Sequence, residues 1–399
     1  MFYGWRVVSG AFVSHLFIVG FVTYSFSLLV PAVREEFGVG LEAVMYAMTG
    51  MTVLNLFVSP VAGILIDRVP VRWLMTSGAA FFGIGLWVLS MATSITAFVV
   101  VFAIIASIAT SLATTTATSA VISRWFTIRR GKALGVAAVG TSCGGILVPK
   151  FVATSISNDG WRVALENMSL AVMFVLVPLV ALLIRGKPSD VGLTAELAPR
   201  EEGMTAEAGL TTRQIVSSRG FWFLGLSLGL LFSAYSGLMS NIGPFMSDLG
   251  YPKSSAATLL MSIAIAGLVG KVIFGMAADR LTPKVALAAA QLLALSGFIV
   301  LALQPSYPVL IVAAVMQGLA SGGMLPSWGA MMALIFGVQS YGRAMGLMGP
   351  VLTLCIMPSY GLAGRIFDST GSFTIVFLVF ASMLVPSALL LVPLKLQRI

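Results

Sequence analysis

The chain has 399 residues, 58% of them hydrophobic and only 9% charged, with 23 Lys and Arg against 14 Asp and Glu. Soluble domains carry about 25% charged residues, so a soluble enzyme, a nucleic-acid-binding domain and a disordered protein are excluded. A net charge of +9 on so apolar a chain points to basic loops beside anionic lipid.

A helix needs about 20 apolar residues to cross a bilayer. Twelve such runs succeed one another at about 6–33, 41–66, 72–93, 96–122, 131–157, 162–185, 220–246, 254–278, 284–303, 308–336, 343–366 and 373–394. The first run lacks a signal-peptide cleavage pattern and is expected to be a true span. The fold class expected is therefore an all-α integral membrane protein of twelve transmembrane helices. The long polar stretch 186–219 reads as a linker between two six-helix bundles, 1–185 and 220–399.

Lys and Arg set the orientation. Of the 23, Arg34, Arg162, Lys253 and Arg365 fall on one side, Lys150 and Lys271 lie within runs, and the other seventeen share the opposite side. Both termini and the linker are expected in the cytoplasm, with the chain multi-pass in the inner (plasma) membrane. Cys143 and Cys355 stand in apolar runs and read as small buried side chains. No metal site and no cofactor is expected.

The two halves repeat one another. Gly63-x-x-x-Asp67-Arg68 ends span 2 and Gly275-x-x-x-Asp279-Arg280 ends span 8, 212 residues later. Gly131-Lys132-Ala133-Leu134-Gly135 opens span 5, and Gly342-Arg343-Ala344-Met345-Gly346 opens span 11, 211 residues later. Gly160 and Gly371 keep that offset. Two parallel six-helix halves suggest a transporter that rocks about a midplane site.

The two Gly-x-x-x-Asp-Arg segments resemble the loop motif of the major facilitator superfamily. The first keeps Gly63, Asp67, Arg68 and Arg72, but has Pro70 and Val71 where the family has Gly and Arg. A narrower resemblance rests on Tyr3-Gly4-Trp5, on Arg124-Trp125-Phe126 with Arg129-Arg130-Gly131, and on Lys187-Pro188-Ser189-Asp190-Val191-Gly192-Leu193. This set is similar to the monocarboxylate transporters and oxalate/formate exchangers. It implies a small carboxylate substrate, and the motif implies that Asp67 helps hold the outward-open state. At helix ends such charges pair with each other and with helix dipoles.

Charges inside the membrane are costly and mark function. Lys271 lies eight residues before Asp279, or about 12 Å from the end of span 8. Small and apolar neighbours, Ala264, Gly267, Leu268 and Gly275, suit an organic anion with an apolar body. The resembled transporters carry Arg at this position. They also have an Asp where this chain has Gly267, and a Lys in span 1 at the position of Thr23. Proton coupling is thus expected to use Lys271 or a substrate that enters with its own proton. His15, the lone histidine, is a second coupling candidate or else a hydrogen-bonded packing group. On an ideal helix it faces away from Tyr24.

Lys150 is expected to snorkel to the outer interface. None of the acids is clearly deep, which argues against a pump for cationic drugs. Tyr24, Tyr235 and Gln317 are expected to orient substrate, since spans 1, 4, 7 and 10 line the cavity in the resembled family. Asn55 and Trp328 are further lone polar groups. The hydroxyls of Thr110, Thr114 and Thr118 share a face of span 4 and either meet substrate or bond back to their own helix.

The expectation is a proton-coupled symporter of small monocarboxylates such as lactate, acting by alternating access. The alternative is a carboxylate exchanger of the oxalate/formate type, although a dianion would favour two buried cations. An enzyme is not expected, because one histidine and no deep acid make no catalytic constellation. The partners are the substrate, a proton as co-substrate and the lipid bilayer, without nucleic acid.

Overall fold

The computed structural model describes residues 2–126, 128–192, 210–280, 282–337 and 339–394. Most of the expected linker (193–209), Leu193 of the narrower motif, Lys395, Arg398 and the side chain of Asp279 lie outside the described residues.

Every regular element among the described residues is a helix. In chain order the long ones are α1 (Gly4–Phe37), α2 (Leu41–Arg68), α3 (Val71–Ser90), α4 (Ile95–Trp125), α5 (130–159), α6 (161–183), α7 (Arg219–Asp248), α8 (Lys253–Arg280), α9 (Pro283–Ala302), α10 (Tyr307–Phe336), α11 (Tyr341–Thr370) and α12 (Phe373–Leu389), with two short helices, Pro188–Val191 and Thr212–Ser217, between α6 and α7. Ten helical runs among the described residues are long and apolar enough to cross a membrane, one of them, α4, interrupted at Thr114 (φ −120°, ψ −134°). One of them, Arg130–Leu183, is 54 residues long and is broken at Gly160 (φ 87°, ψ 171°), so it supplies α5 and α6. The last, α12, is apolar but shorter, at 17 residues. The twelve runs of the sequence are thus twelve helices.

The repeat is also written in backbone handedness. Gly38 (φ 60°) closes α1 and Gly250 (φ 76°) comes after α7, while Gly160 (φ 87°) comes after α5 and Gly371 (φ 65°) after α11. These pairs are 212 and 211 residues apart, the offsets of the loop motifs. A side chain at such φ values would be strained, so glycine is the residue for each turn.

Glycine has a second use where helices touch backbone to backbone. A Cβ added at Gly140 or Gly144 of α5 would strike the carbonyls of Phe12 or Leu16 of α1. A Cβ added at Gly318 of α10 would strike Ile263 O of α8, and one at Gly322 would lie 2.6 Å from Lys271 N. Within a membrane, van der Waals packing of this close kind replaces the hydrophobic drive for helix association.

By the clustering of its Cα atoms the chain forms two compact units, Met1–Glu201 with Ile242–Met261, and Glu202–Asn241 with Ser262–Ile399. The α1–α5 crossing lies in the first and the α8–α10 crossing in the second.

Candidate functional site

In the first unit the two aromatic motifs converge. Tyr3 stacks on Trp125 (ring centroids 5.4 Å apart), and Trp5 meets Phe126 edge-on at 5.2 Å. Gly4 is required between them, because an added Cβ would lie 2.9 Å from the Phe126 ring. Trp125 Nε1 donates to Arg185 O (2.9 Å), fastening the end of α6. Asp67 stands beside this knot. The sequence suggests its neighbour Arg68 as partner, but the structure supplies Arg124 from α4. Arg124 Nη2 lies 3.6 Å from Asp67 Oδ1 and donates to Ile66 O at 2.9 Å. Arg72 Nε donates to Ala181 O (2.7 Å). The loop motif is therefore tied to α4 and α6 by two arginines. A Cβ added at Gly63 or at Gly275 would meet nothing within 4 Å, so neither motif glycine is explained by the packing around it.

His15 is buried between three helices. Its Nδ1 lies 3.1 Å from Ala137 O, which only accepts, so Nδ1 carries a proton; Nε2 lies 3.4 Å from Thr118 Oγ1. Tyr24, also buried, sits in a π-helical turn, Gly20–Ser25. Such a turn closes i→i+5 bonds and absorbs one residue. The angle between His15 and Tyr24 about the helix therefore falls from about 180° to about 80°. The ideal-helix expectation that they face opposite ways is corrected accordingly. The hydroxyls of Thr110 and Thr118 bond to carbonyls of their own helix, those of Ala106 (2.7 Å) and Thr115 (3.3 Å). The sequence offers no partner for Asn55 of α2, yet its Oδ1 accepts from both Ser107 (3.2 Å) and Ser111 (2.9 Å) of α4.

In the second unit Lys271 is half-buried in α8. It lies nine residues, about 13.5 Å, from the Arg280 end. Gly322 brings the backbone of α10 against the backbone nitrogen of Lys271, so the lysine projects from a crossing that has no room to shift. Gly267, where the resembled transporters have an acid, faces Gly318 O and Ser321 Oγ, each 3.4 Å from its added Cβ. Six residues beyond Gly322, the ring of Trp328 meets Phe232 of α7 edge-on at 6.1 Å. The indole N–H of Trp328 is buried and has no acceptor among the described residues. A buried donor without an acceptor is the signature of a ligand contact or a site of strain. Tyr235 of α7 is half-buried. Gln317 is 1% exposed and donates through Nε2 to Ala294 O of α9 (3.0 Å), a bond that holds its amide in helix packing.

Known proteins show the same character. A family model described as Major Facilitator Superfamily matches residues 12–290 and 232–398. The chain is 26% identical over 395 residues to monocarboxylate transporter 13 of Bos taurus, covering 98% of this chain and 89% of that one. It is 24% identical to the fujikurins efflux protein of Gibberella fujikuroi, covering 97% and 81%. Among solved structures, a bacterial homologue of the human lysosomal transporter Spinster, inward-facing and unoccupied, superposes with a TM-score of 0.80 at 15% identity, covering 98% of this chain and 96% of that one. The fold, the repeat and the family match together place the chain among the membrane transporters of the Major Facilitator Superfamily, to which it belongs.

Proposed function

We propose that the protein carries small monocarboxylates of lactate or pyruvate size together with a proton, by alternating access of the halves 1–185 and 220–399 about the linker 186–219. One observation carries the reading: a lysine, Lys271, stands deep in an apolar helix at a glycine-lined crossing. An ammonium in such apolar surroundings is costly, and a substrate carboxylate brought there adds favourable charge pairing. The near-full-length likeness to proteins named monocarboxylate transporters supports the same substrate class.

In this reading Lys271 binds the carboxylate as a point charge, without the two-pronged geometry of arginine. Tyr24 and Tyr235 orient the remainder, and the Trp328 N–H joins them as a donor for a keto or hydroxy oxygen. Proton coupling runs through Lys271 or through substrate that enters protonated, with His15 second because both its ring nitrogens already have neighbours in packing. Asp67 and Asp279, with Gly63, Arg68, Arg72, Gly275 and Arg280, form the gating segments. Both termini lie in the cytoplasm and the chain sits in the inner membrane.

The test is uptake of labelled lactate and pyruvate into proteoliposomes with and without an imposed pH gradient. Gradient-driven uptake is expected. Uptake indifferent to the gradient but accelerated by oxalate or formate inside the vesicle would replace this reading with anion exchange.

A further inference from the structure

A groove of about 460 Å³ runs along the outer surface of the first unit, between the end of α5 and the start of α6. It is amphipathic along its length. Leu147 (57% exposed) and Phe151 (45% exposed) form an apolar strip on α5. Lys150, Thr154, Asn158 and Asp159 also line it, all exposed. From the opposite wall, Asn167 of α6 donates to Ser155 Oγ (2.9 Å) and holds the two helices together at the groove floor. Lys150 and Asp159 have no ion-pair partner among the described residues, although each lines the same groove.

The spacing of the two charges selects the ligand. Nine residues of helix separate them by about 13.5 Å of axial rise and turn them by about 180° about α5, so they stand at opposite edges of the groove. That is too wide for a direct salt bridge and leaves room between them for a zwitterion, an anionic group reached by the long stem of Lys150 followed by a cationic one at Asp159. Thr154 and Asn158 supply hydrogen-bonding groups between the charges, and the apolar strip continues toward the bilayer core, where acyl chains lie.

We propose that this groove holds the headgroup of a phosphatidylethanolamine-type lipid, its phosphate on Lys150 and its primary ammonium on Asp159. A carboxylate facing the amine disfavours a purely anionic headgroup. A quaternary choline lacks the N–H donors that the carboxylate accepts. The proposal is independent of the transported substrate.

The test is native mass spectrometry of the full chain, delipidated in detergent and reloaded with phosphatidylethanolamine, phosphatidylcholine or phosphatidylglycerol. Wild type is expected to retain phosphatidylethanolamine at least about fivefold over the other two. Lys150→Gln should lose that retention, and Lys150→Arg, which keeps the charge, should preserve it. Asp159→Asn should erase the preference over phosphatidylglycerol while binding persists. Gel filtration and thermal unfolding, expected to be unchanged because both side chains are exposed, report folding. Equal retention of the three lipids by wild type, or equal retention by wild type and Lys150→Gln, would overturn the assignment. Displacement of the lipid by inorganic phosphate alone would make the groove a soluble-anion site and would overturn it equally.

Discussion

Two lysines stand inside apolar helices, and each lies nine residues from an end of its helix: Lys150 from Asp159 in α5, and Lys271 from Arg280 in α8. Depth along the helix does not separate them. The residues C-terminal to each lysine do. After Lys150 the polar residues begin at Thr154, about one turn on, so polar groups lie within reach of its long stem. After Lys271 come Val272, Ile273, Phe274, Gly275 and Met276, and the chain stays apolar until the Asp279-Arg280 pair. Packing repeats the contrast. Lys150 is exposed on a groove, whereas Lys271 is half-buried where Gly322 presses α10 against its backbone. The same residue type is thus exposed on a groove in one half and half-buried at a helix crossing in the other.

The comparison breaks or sharpens under substitution. The largest expected effect is on uptake. Lys271→Ala should lower it by about two orders of magnitude or more, the loss of a desolvated charge contact, while Lys150→Gln should leave it within about twofold. Equal effects would erase the distinction. Next comes the crossing itself. Gly322→Val forces a methyl into the space occupied by Lys271 N, so it should destabilise by about 1–3 kcal/mol as overpacking does and impair uptake with it. Thermal unfolding in detergent measures the first part. Gly63→Val, whose added Cβ has open space, should leave thermal unfolding unchanged.

A smaller effect is expected at the loop motif. Asp67→Asn and Arg124→Gln remove opposite ends of one contact and should shift cysteine accessibility in the same direction. Accessibility unchanged in both would leave the motif as a topology signal. The smallest effect on transport is expected at His15. His15→Gln keeps a donor for Ala137 O and should lower thermal stability slightly, with the pH dependence of uptake unaltered. A lost pH dependence would move proton coupling to His15.

Much of the fold is legible in the sequence because a bilayer allows few solutions: apolar run length and the 211- and 212-residue offsets point to twelve helices in two repeats. Even the turn glycines Gly160 and Gly371 stand in register in the sequence, and both have positive φ in the structure. Side-chain partners are less legible. Gln317 looks like a cavity group because its run is apolar, yet an amide in an apolar helix also satisfies itself on a neighbour, and α9 lies beside it. Asp67 points to Arg68 by adjacency, whereas the tertiary fold brings Arg124 from 57 positions away. The π turn at Gly20–Ser25 carries no pattern that periodicity detects, and it changes which residues share a face of α1. Lys271 is singled out by sequence because charge in an apolar run is rare, and the structure adds the glycine crossing that surrounds it.

The central claim, that Lys271 supplies the charge that takes the substrate carboxylate, is tested most directly by calorimetric titration of pyruvate and lactate into purified wild type, Lys271→Ala and Lys271→Arg. Binding is predicted in wild type, weaker binding in Lys271→Arg, and no measurable heat in a Lys271→Ala protein that still unfolds cooperatively. Undiminished affinity in Lys271→Ala would contradict the account and move the carboxylate site elsewhere.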